Sequence, residues 1–234
     1  MILGSDRPAD VQGAAAGEQA ASEVEGRPGR SAPDEQSSLV RSALVFAVRC
    51  HDRQRRHSDG AAFIEHPLEV AGLLHDAGCS DVVVAAGLLH DVVENSHVSV
   101  AELTWRFGAE VAGIVQAVTE DSTVESYRHR KRMLREQVRT TGGDAALVFA
   151  ADKIAKVREL AELVRRERAR RGGAGPAGRG REPLGDHELR LEHYRRSLRM
   201  LQRVAPAHPL VKRLASDLDY CPTAIRRALS EDAP

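Results

Sequence analysis

The sequence predicts an all-α protein with a single folded domain, and three observations favour this class. Apolar residues recur at helical spacing through most of the chain, and no segment shows a strand pattern or an internal repeat. Aromatic residues make up only 3% of the 234 residues, so the core must consist mainly of Leu, Val and Ala, which suits helix-on-helix packing. A chain of this length can bury one good core and still carry tails.

Composition divides the chain into four parts. Residues 1–36 are rich in Gly, Ala, Ser, Pro and charge, which predicts a disordered tail. Residues 37–164 hold the predicted helical core. Residues 165–185 are rich in Gly and Arg, which predicts a flexible insertion between helices. Residues 186–234 are predicted to form further helices that pack on the core.

Capping signals and periodicity place the helices. Pro67 suits a first helical turn, and Ser80 suits an N-cap. Ser99 with Glu102 forms a capping-box signature. The predicted helices are Leu39–Cys50, Leu68–His75, Asp81–Val93, a helix beginning after Ser99, Glu110–Thr119, Tyr127–Arg139, Ala145–Val164, Asp186–Gln202, Leu210–Leu218 and Ala224–Leu229.

Charge and cysteine content bear on partners and compartment. Lys plus Arg equals Asp plus Glu, at 34 each, so neither a nucleic-acid partner nor a membrane surface is expected. Three cysteines, an odd number, favour a reducing compartment. No apolar run approaches a membrane span, and no secretory signal is evident. We therefore expect a cytoplasmic protein, and the sequence carries no signal for its oligomeric state.

A small set of ionisable residues lies in apolar surroundings. The segment Leu88–Asn95 places His90 and Asp91 in an otherwise apolar run. Asp152 lies in a second apolar run, and His66 comes just before a proline at a predicted helix start. Burying such groups is costly unless a metal or an opposite charge compensates for them. Together they offer four ligands for one divalent cation.

Two imidazoles and two carboxylates suit Mn, Fe, Co or Zn better than calcium. Four protein ligands leave room for a water and a substrate oxygen when the ion is five- or six-coordinate. Glu94 lies four residues after His90, and Asn95 lies four after Asp91, so both are near the same helix face. Glu94 is the candidate to accept a proton from the attacking water. A histidine on an apolar helix is more often a hydrogen-bonded core residue, so residue types alone leave the packing interpretation open as well.

The order His…His-Asp…Asp resembles that of the HD-domain metal phosphohydrolases. The flanking residues resemble the RelA/SpoT-type guanosine polyphosphate hydrolases more specifically. Arg56–Pro67 is similar to their "R-K-S-G-x-P-Y-I-x-H-P", with one extra residue, and Leu88–Asn95 is similar to "L-L-H-D-V-V-E-D". Phe107–Val111 and Ala117–Thr119 are similar to "F-G-x-E-V" and "G-V-T", and Ala151–Arg158 is similar to "A-D-[RK]-L-x-N-x-R".

The resemblance covers about residues 43–160 and implies an HD-domain helical bundle of the small, stand-alone type. The implied reaction is hydrolysis of guanosine 3′,5′-bis(diphosphate), the stringent-response alarmone, to GDP and pyrophosphate. Glu94 and Asn95 take the implied catalytic positions. The implied cofactor is a single Mn²⁺, with His66, His90, Asp91 and Asp152 as its ligands.

A polyphosphate substrate needs counter-charges. Most of the basic residues in the helix around residue 130 are expected to form a solvated face, with two exceptions near the site. The expected substrate-binding residues are Arg56, His57, Arg128, Lys131, Lys153 and Lys156.

Three departures from the family pattern bear on function. Asn95 replaces an Asp, and an amide cannot act as a base. Lys156 replaces an Asn, and His57 replaces a Lys. Two other functions therefore stay open: a hydrolase for another nucleotide phosphate, and a weakly active HD domain that binds a nucleotide as a regulator.

Overall fold

The computed structural model describes residues 33–56, 58–171 and 184–230. Within these ranges the regular structure is helical, apart from one isolated β-bridge between Arg55 and Ala62. The all-α prediction is therefore confirmed. None of the helices in these ranges has the length and apolar character needed to cross a lipid bilayer.

The described helices follow one another along the chain with short connections. They are α1 (Pro33–Cys50), α2 (Glu65–Asp76), α3 (Asp81–Leu89), α4 (Val92–Asn95), α5 (Val100–Val118), α6 (Tyr127–Thr141), α7 (Gly143–Arg171), α8 (Leu184–Val204) and α9 (Pro209–Ser230).

The long helix predicted after Ser80 is interrupted. The prediction of one helix to Val93 is wrong, because α3 ends at Leu89 and the short α4 begins at Val92. In α5, by contrast, the boundary between the two predicted segments is present, because Gly108 has non-helical torsion angles (φ 86°, ψ 163°) that separate two helical parts. Local periodicity does not detect the break after α3, because the apolar pattern continues through it.

The two predicted N-caps differ in their hydrogen bonds. The Ser99 hydroxyl accepts a hydrogen bond from the backbone N–H of Glu102 at 3.2 Å, as its capping-box pattern predicts. Ser80 occupies the N-cap position of α3 with extended backbone, but its side chain makes no capping hydrogen bond. The start of α3 therefore depends on packing more than on its cap.

The helices extend into segments predicted as irregular. α1 begins at Pro33, inside the predicted tail of residues 1–36. α7 continues to Arg171 and α8 begins at Leu184, so both reach into the predicted insertion of residues 165–185. The two short helices predicted at the C-terminus are one helix, α9. The rest of the tail and of the insertion lies outside the described residues, and the four-part division stays a prediction.

α7 is the central helix of the bundle. It packs against α2, α3, α5, α6, α8 and α9, while α3 packs against α1, α2 and α5. The core around them is mainly Leu, Val and Ala, and Phe149 is its largest fully buried side chain. Because neighbours surround α7, any ionisable residue on its inner faces is buried and needs a partner.

Candidate active site

Four ionisable side chains meet where α2, α7 and the break between α3 and α4 pack together. His66 is the second residue of α2, and Asp152 lies on α7. His90 and Asp91 are the two residues that separate α3 from α4. All four are only 3 to 5% exposed. The structure thus brings together the four residues predicted as metal ligands.

The break in the helix explains how two adjacent residues reach one point. On a continuous helix their side chains would point about 100° apart. Here His90 keeps helical torsion angles (φ −60°, ψ −32°), whereas Asp91 opens to φ −95° and ψ −4°. As a result the Nε2 atom of His90 lies 3.3 Å from Oδ2 of Asp91.

His66 completes the cluster from the opposite side. Its Nε2 atom lies 3.3 Å from Nε2 of His90, 3.2 Å from Oδ1 of Asp152 and 3.5 Å from Oδ2 of Asp91. Donor atoms that share one ion at about 2.1 Å stand roughly 3 Å apart, so the separations among His66, His90 and Asp152 fit a single divalent cation, and Asp91 lies beside these three.

The tautomer of His90 fits the same interpretation. Its Nδ1 atom lies 2.7 Å from the carbonyl oxygen of Gly87, which can only accept a hydrogen bond. In the neutral ring the proton therefore sits on Nδ1, and the Nε2 lone pair faces the cluster. A backbone carbonyl that orients a histidine in this way is a common feature of metal sites.

Attraction between the charged groups of the cluster shifts their pKa values more than burial does. Burial alone would lower the pKa of His90, but the carboxylates of Asp91 and Asp152 raise it to about 10. Burial likewise opposes ionisation of both carboxyl groups, yet nearby cations hold the pKa values of Asp91 and Asp152 well below their usual range. Both carboxylates are therefore ionised at neutral pH, as metal ligation requires.

Two lysines from α7 contact the same carboxylate. Lys156 Nζ lies 2.9 Å from Oδ1 of Asp152, and the ammonium of Lys153 contacts Oδ2. Lys153 is fully buried with Nζ 4.3 Å from the ring centre of Phe149, and burial lowers its pKa to about 8. For Lys156, burial is outweighed by Asp152 and Asp91, and its pKa is raised well above the usual value. Asp152 is thus the most strongly compensated charge of the site.

The two predicted catalytic residues lie on α4 beside the cluster. Glu94 Oε1 accepts a hydrogen bond from the backbone N–H of Glu120 at 2.5 Å. Partial burial and then the negative charge of Asp91 raise the pKa of Glu94. The backbone oxygen of Asn95 accepts a hydrogen bond from Gln54 Nε2 at 2.7 Å, which ties α4 to the segment after α1.

A cavity of about 680 Å³ opens beside the cluster, a size that suits a nucleotide. Cationic side chains from four segments line it, and both Glu94 and Asn95 face it. The lining residues are Gln54, Arg55, Arg56, Ser58, Phe63, His66, Asp91, Glu94, Asn95, Tyr127, Lys131, Lys153, Lys156, Glu159, Leu160, Leu163, Arg190, His193 and Tyr194.

Four of the predicted substrate-binding residues line this cavity: Arg56, Lys131, Lys153 and Lys156. Arg128 does not line it, because this side chain is 68% exposed and Nη1 lies 3.4 Å from Oε2 of Glu192. The prediction for His57 falls outside the described residues.

Sequence reasoning missed the wall that α8 contributes. Arg190, His193 and Tyr194 line the cavity at helical spacing. His193 is buried, and its Nδ1 atom lies 2.6 Å from Nη1 of Arg135. Arg190 and Tyr194 are four residues apart, so the sequence does place them on one face of a helix. Nothing in the local sequence indicates that this face turns towards α7 and the cavity.

The fold and the cluster define the class of protein. A family model described as "HD domain" matches residues 43–173, which is more than half of the chain. The chain therefore belongs to the HD domain family and is an HD-type hydrolase, in agreement with the resemblance in its motifs. Together with the His–Asp cluster, this membership indicates a divalent-metal site.

Proteins of similar sequence indicate which kind of HD-type hydrolase this chain resembles. The chain is 40% identical over 128 residues to the human protein named guanosine-3′,5′-bis(diphosphate) 3′-pyrophosphohydrolase MESH1, covering 53% of this chain and 71% of that protein. It is 36% identical over 133 residues to a probable guanosine-3′,5′-bis(diphosphate) 3′-pyrophosphohydrolase of Synechocystis sp., covering 53% of this chain and 17% of that protein.

Solved structures share the fold. One, described as "A metazoan ortholog of SpoT hydrolyzes ppGpp and plays a role in starvation responses", has a TM-score of 0.64 at 24% identity and covers 78% of this chain and 95% of that chain. A protein of Listeria monocytogenes EGD-e has a TM-score of 0.53 at 28% identity, covering 66% of this chain and 92% of that chain.

Proposed function

We propose that the protein hydrolyses guanosine 3′,5′-bis(diphosphate) to GDP and pyrophosphate. The observation that carries the proposal is the convergence of His66, His90, Asp91 and Asp152 beside a cation-lined cavity of nucleotide size. The relatives that bear this activity in their names are up to 41% identical, over 128 residues in that case. We assign the four residues as the ligands of one Mn²⁺.

When bound, the ion would act as a Lewis acid towards the 3′-diphosphate and lower the pKa of a nearby water. The remaining chemistry belongs to the protein. Water adds to the phosphorus next to the ribose, and the bond from that phosphorus to the 3′ oxygen breaks, which gives GDP and pyrophosphate. Glu94 accepts the proton of the attacking water, because its raised pKa makes it a stronger base than an ordinary carboxylate.

The lysines of the cavity wall neutralise the substrate. Lys153 and Lys156 lie beside Asp152, and Lys131 lines the same cavity from α6. Their ammonium groups would stabilise the negative charge that accumulates on the phosphoryl oxygens as the bond breaks. Arg56 is held by Asp59 at 2.7 and 3.1 Å, so its guanidinium presents a fixed plane to the base or ribose.

The first experiment incubates the purified protein with Mn²⁺ and guanosine 3′,5′-bis(diphosphate) and resolves the products. We expect GDP and pyrophosphate in equal amounts. The Asp91→Ala variant is the control, because it removes one ligand and is expected to lose the activity. Metal content measured on both proteins shows whether the loss follows the ion.

Other outcomes favour the two remaining functions. Release of phosphate or pyrophosphate only from a different nucleotide would identify an HD hydrolase of other specificity. Nucleotide binding without turnover, with Mn²⁺ bound, would favour a regulatory domain.

Asn95→Asp tests the departure that most affects the rate. The substitution restores a carboxylate beside Glu94 and is expected to raise kcat severalfold if the amide limits proton transfer. An unchanged or lower kcat would show that the amide of Asn95 does not limit the rate.

A further inference from the structure

Seven arginines of α6 and α8 form one basic surface outside the active-site cavity. On α6 they recur at intervals of four, three and four residues, and on α8 at intervals of three and four, so each set occupies one helix face. These arginines do not line the cavity. We call the surface the arginine ridge, and it consists of Arg128, Arg132, Arg135, Arg139, Arg196, Arg199 and Arg203.

The two rows of the arginine ridge lie side by side, because α6 packs against α8. Arg135 contacts His193 of α8, with Nη1 2.6 Å from Nδ1. Arg135 also lies near Arg196 and Arg199, whose positive charges add to the effect of burial and lower its pKa. The axes of packed helices stand about 8–10 Å apart, so the two rows are separated by a similar distance.

Few carboxylates balance the charge of the arginine ridge. Glu192 lies 3.4 Å from Arg128 and 2.5 Å from Arg196, and Glu136 pairs with Arg139. Among the described residues, no carboxylate forms a salt bridge with the other four: Arg132, Arg135, Arg199 and Arg203. The whole chain is balanced at 34 basic and 34 acidic residues, which is the reason to expect no nucleic-acid partner. That balance does not extend to this surface, and holding like charges together costs stability.

The side chains of the arginine ridge suit phosphate better than a protein partner. A protein–protein interface has an apolar centre, but Met133 is the only exposed large apolar side chain among the described residues of α6 and α8. These residues also include no exposed aromatic ring on which unpaired bases could stack. Guanidinium groups contact phosphate through paired hydrogen bonds. A partner that offers rows of phosphates and keeps its bases paired therefore fits the surface.

The two-row arrangement favours double-stranded RNA over DNA. The row on α6 spans about 16 Å along the helix axis, which is long enough to follow several phosphates. A-form RNA has a deep, narrow major groove, so the phosphates of its two strands face each other closely, and each arginine row can follow one strand. B-form DNA has a wide major groove that admits a single inserted helix. Here α6 and α8 are held side by side within the bundle.

We propose that the arginine ridge binds the sugar–phosphate backbone of double-stranded RNA, independently of base sequence. The affinity should fall steeply with salt, because each phosphate contact releases counterions from the RNA. The ridge lies outside the cavity, and RNA binding requires no turnover. The proposal therefore does not depend on the proposed function of the active site.

The test measures binding of the full chain to a labelled RNA duplex of about 20 base pairs, by fluorescence anisotropy at several salt concentrations. For the wild type we expect a dissociation constant in the micromolar range at low salt. The double variant Arg132→Glu, Arg199→Glu should bind roughly tenfold more weakly or worse. Its slope of log affinity against log salt should be smaller by about 2, because each lost phosphate contact lowers the slope by about 1.

The double variant Arg41→Glu, Arg49→Glu is the matched control. Both residues are exposed arginines of α1, which packs against α3, and the net charge changes by the same amount. This control should bind RNA as the wild type does. Arg132→Lys with Arg199→Lys keeps the charge and should retain most of the affinity. Thermal unfolding of every variant shows whether a loss of binding follows loss of the fold.

The proposal is overturned if the wild type does not bind RNA at low salt. It is also overturned if the α1 control loses as much affinity as the ridge variant, because net charge alone would then explain binding. A DNA duplex of the same sequence that binds as tightly as the RNA would overturn the choice of RNA. Polyglutamate that displaces the RNA at equal charge concentration would instead favour an acidic protein segment as the partner.

Discussion

At the scale of single residues, Lys156 has two opposing effects on the site. Its ammonium lies 2.9 Å from Oδ1 of Asp152, a proposed metal ligand, and it also faces the cavity where phosphates would bind. A cation in this position repels the incoming metal ion and attracts the substrate. The family pattern that this chain resembles has a neutral Asn there, so we expect the lysine to weaken metal binding and to strengthen nucleotide binding.

Lys156→Asn separates the two effects. Loss of the ammonium should tighten Mn²⁺ binding by about tenfold and raise KM for the nucleotide by about tenfold, because both interactions are between close, partly buried charges. Calorimetric titration with Mn²⁺ and steady-state kinetics measure the two values. Lys156→Arg keeps the charge and should change neither value by much. Unchanged Mn²⁺ affinity in Lys156→Asn would contradict the assigned repulsion.

Glu94 sets the expected pH dependence. The carboxylate form accepts the proton, so activity should fall as pH drops through its pKa. Partial burial, the largest cause of the raised pKa, remains when a metal is bound, so this fall should be centred above the ordinary value of about 4.3. The measurement is kcat/KM against pH in Mn²⁺-loaded protein. Residual activity of Glu94→Gln should lack this fall, and a fall that persists there would assign it to another group.

At the scale of elements, the break between α3 and α4 positions half of the cluster. Gly87, in the last turn of α3, holds His90 through its carbonyl oxygen and also lets α2 approach closely. A Cβ atom at this position would lie 2.4 Å from Cδ1 of Leu74, a side chain that is itself fully buried. One small residue therefore serves both the packing and the orientation of a ligand.

Gly87→Ala should lower the free energy of unfolding by about 1–2 kcal/mol, because Leu74 must move within a packed core. It should also weaken Mn²⁺ binding, since α3 shifts relative to α2. Gly113→Ala is the control, because a Cβ there meets nothing within 4 Å, and alanine favours a helix interior. Urea unfolding gives the free energy of unfolding of both variants. Equal values for Gly87→Ala and Gly113→Ala would contradict the close approach of α2 to α3 at Gly87.

The elements also show where sequence reasoning succeeds. His90, Asp91 and Asp152 are identifiable because each lies in an apolar run, and His66 because it precedes Pro67 in a segment that resembles the family motif. Lys131 and Arg128 belong to one basic run, and only the packing of α6 against α7 and α8 decides which of them faces the cavity.

The α8 wall of Arg190, His193 and Tyr194 is harder to foresee. It reaches the cavity through contacts between segments far apart in sequence, across the Gly- and Arg-rich stretch. The break at residues 90–91 is equally hidden, because the surrounding residues continue the apolar pattern of a helix.

At the scale of the whole molecule, the proposed ligands join three separate segments. An ion that binds them in the native state alone must stabilise the fold, by about 2.7 kcal/mol at a hundredfold excess over its dissociation constant. For a domain of this size we expect the Tm to rise by roughly 5–10 °C on addition of Mn²⁺. Asp91→Ala should show little of this shift in thermal scans. An equal shift in that variant would place the bound ion elsewhere.

Lys153 and Lys156 have a consequence for how the protein is supplied with metal. Both lysines contact Asp152, and they neutralise the buried carboxylate before any ion arrives. The metal-free chain therefore has no uncompensated charge at Asp152 to drive it open, and it can complete its folding first. We therefore expect metal-free protein to be folded but inactive, and to gain activity when a divalent metal is added, without refolding.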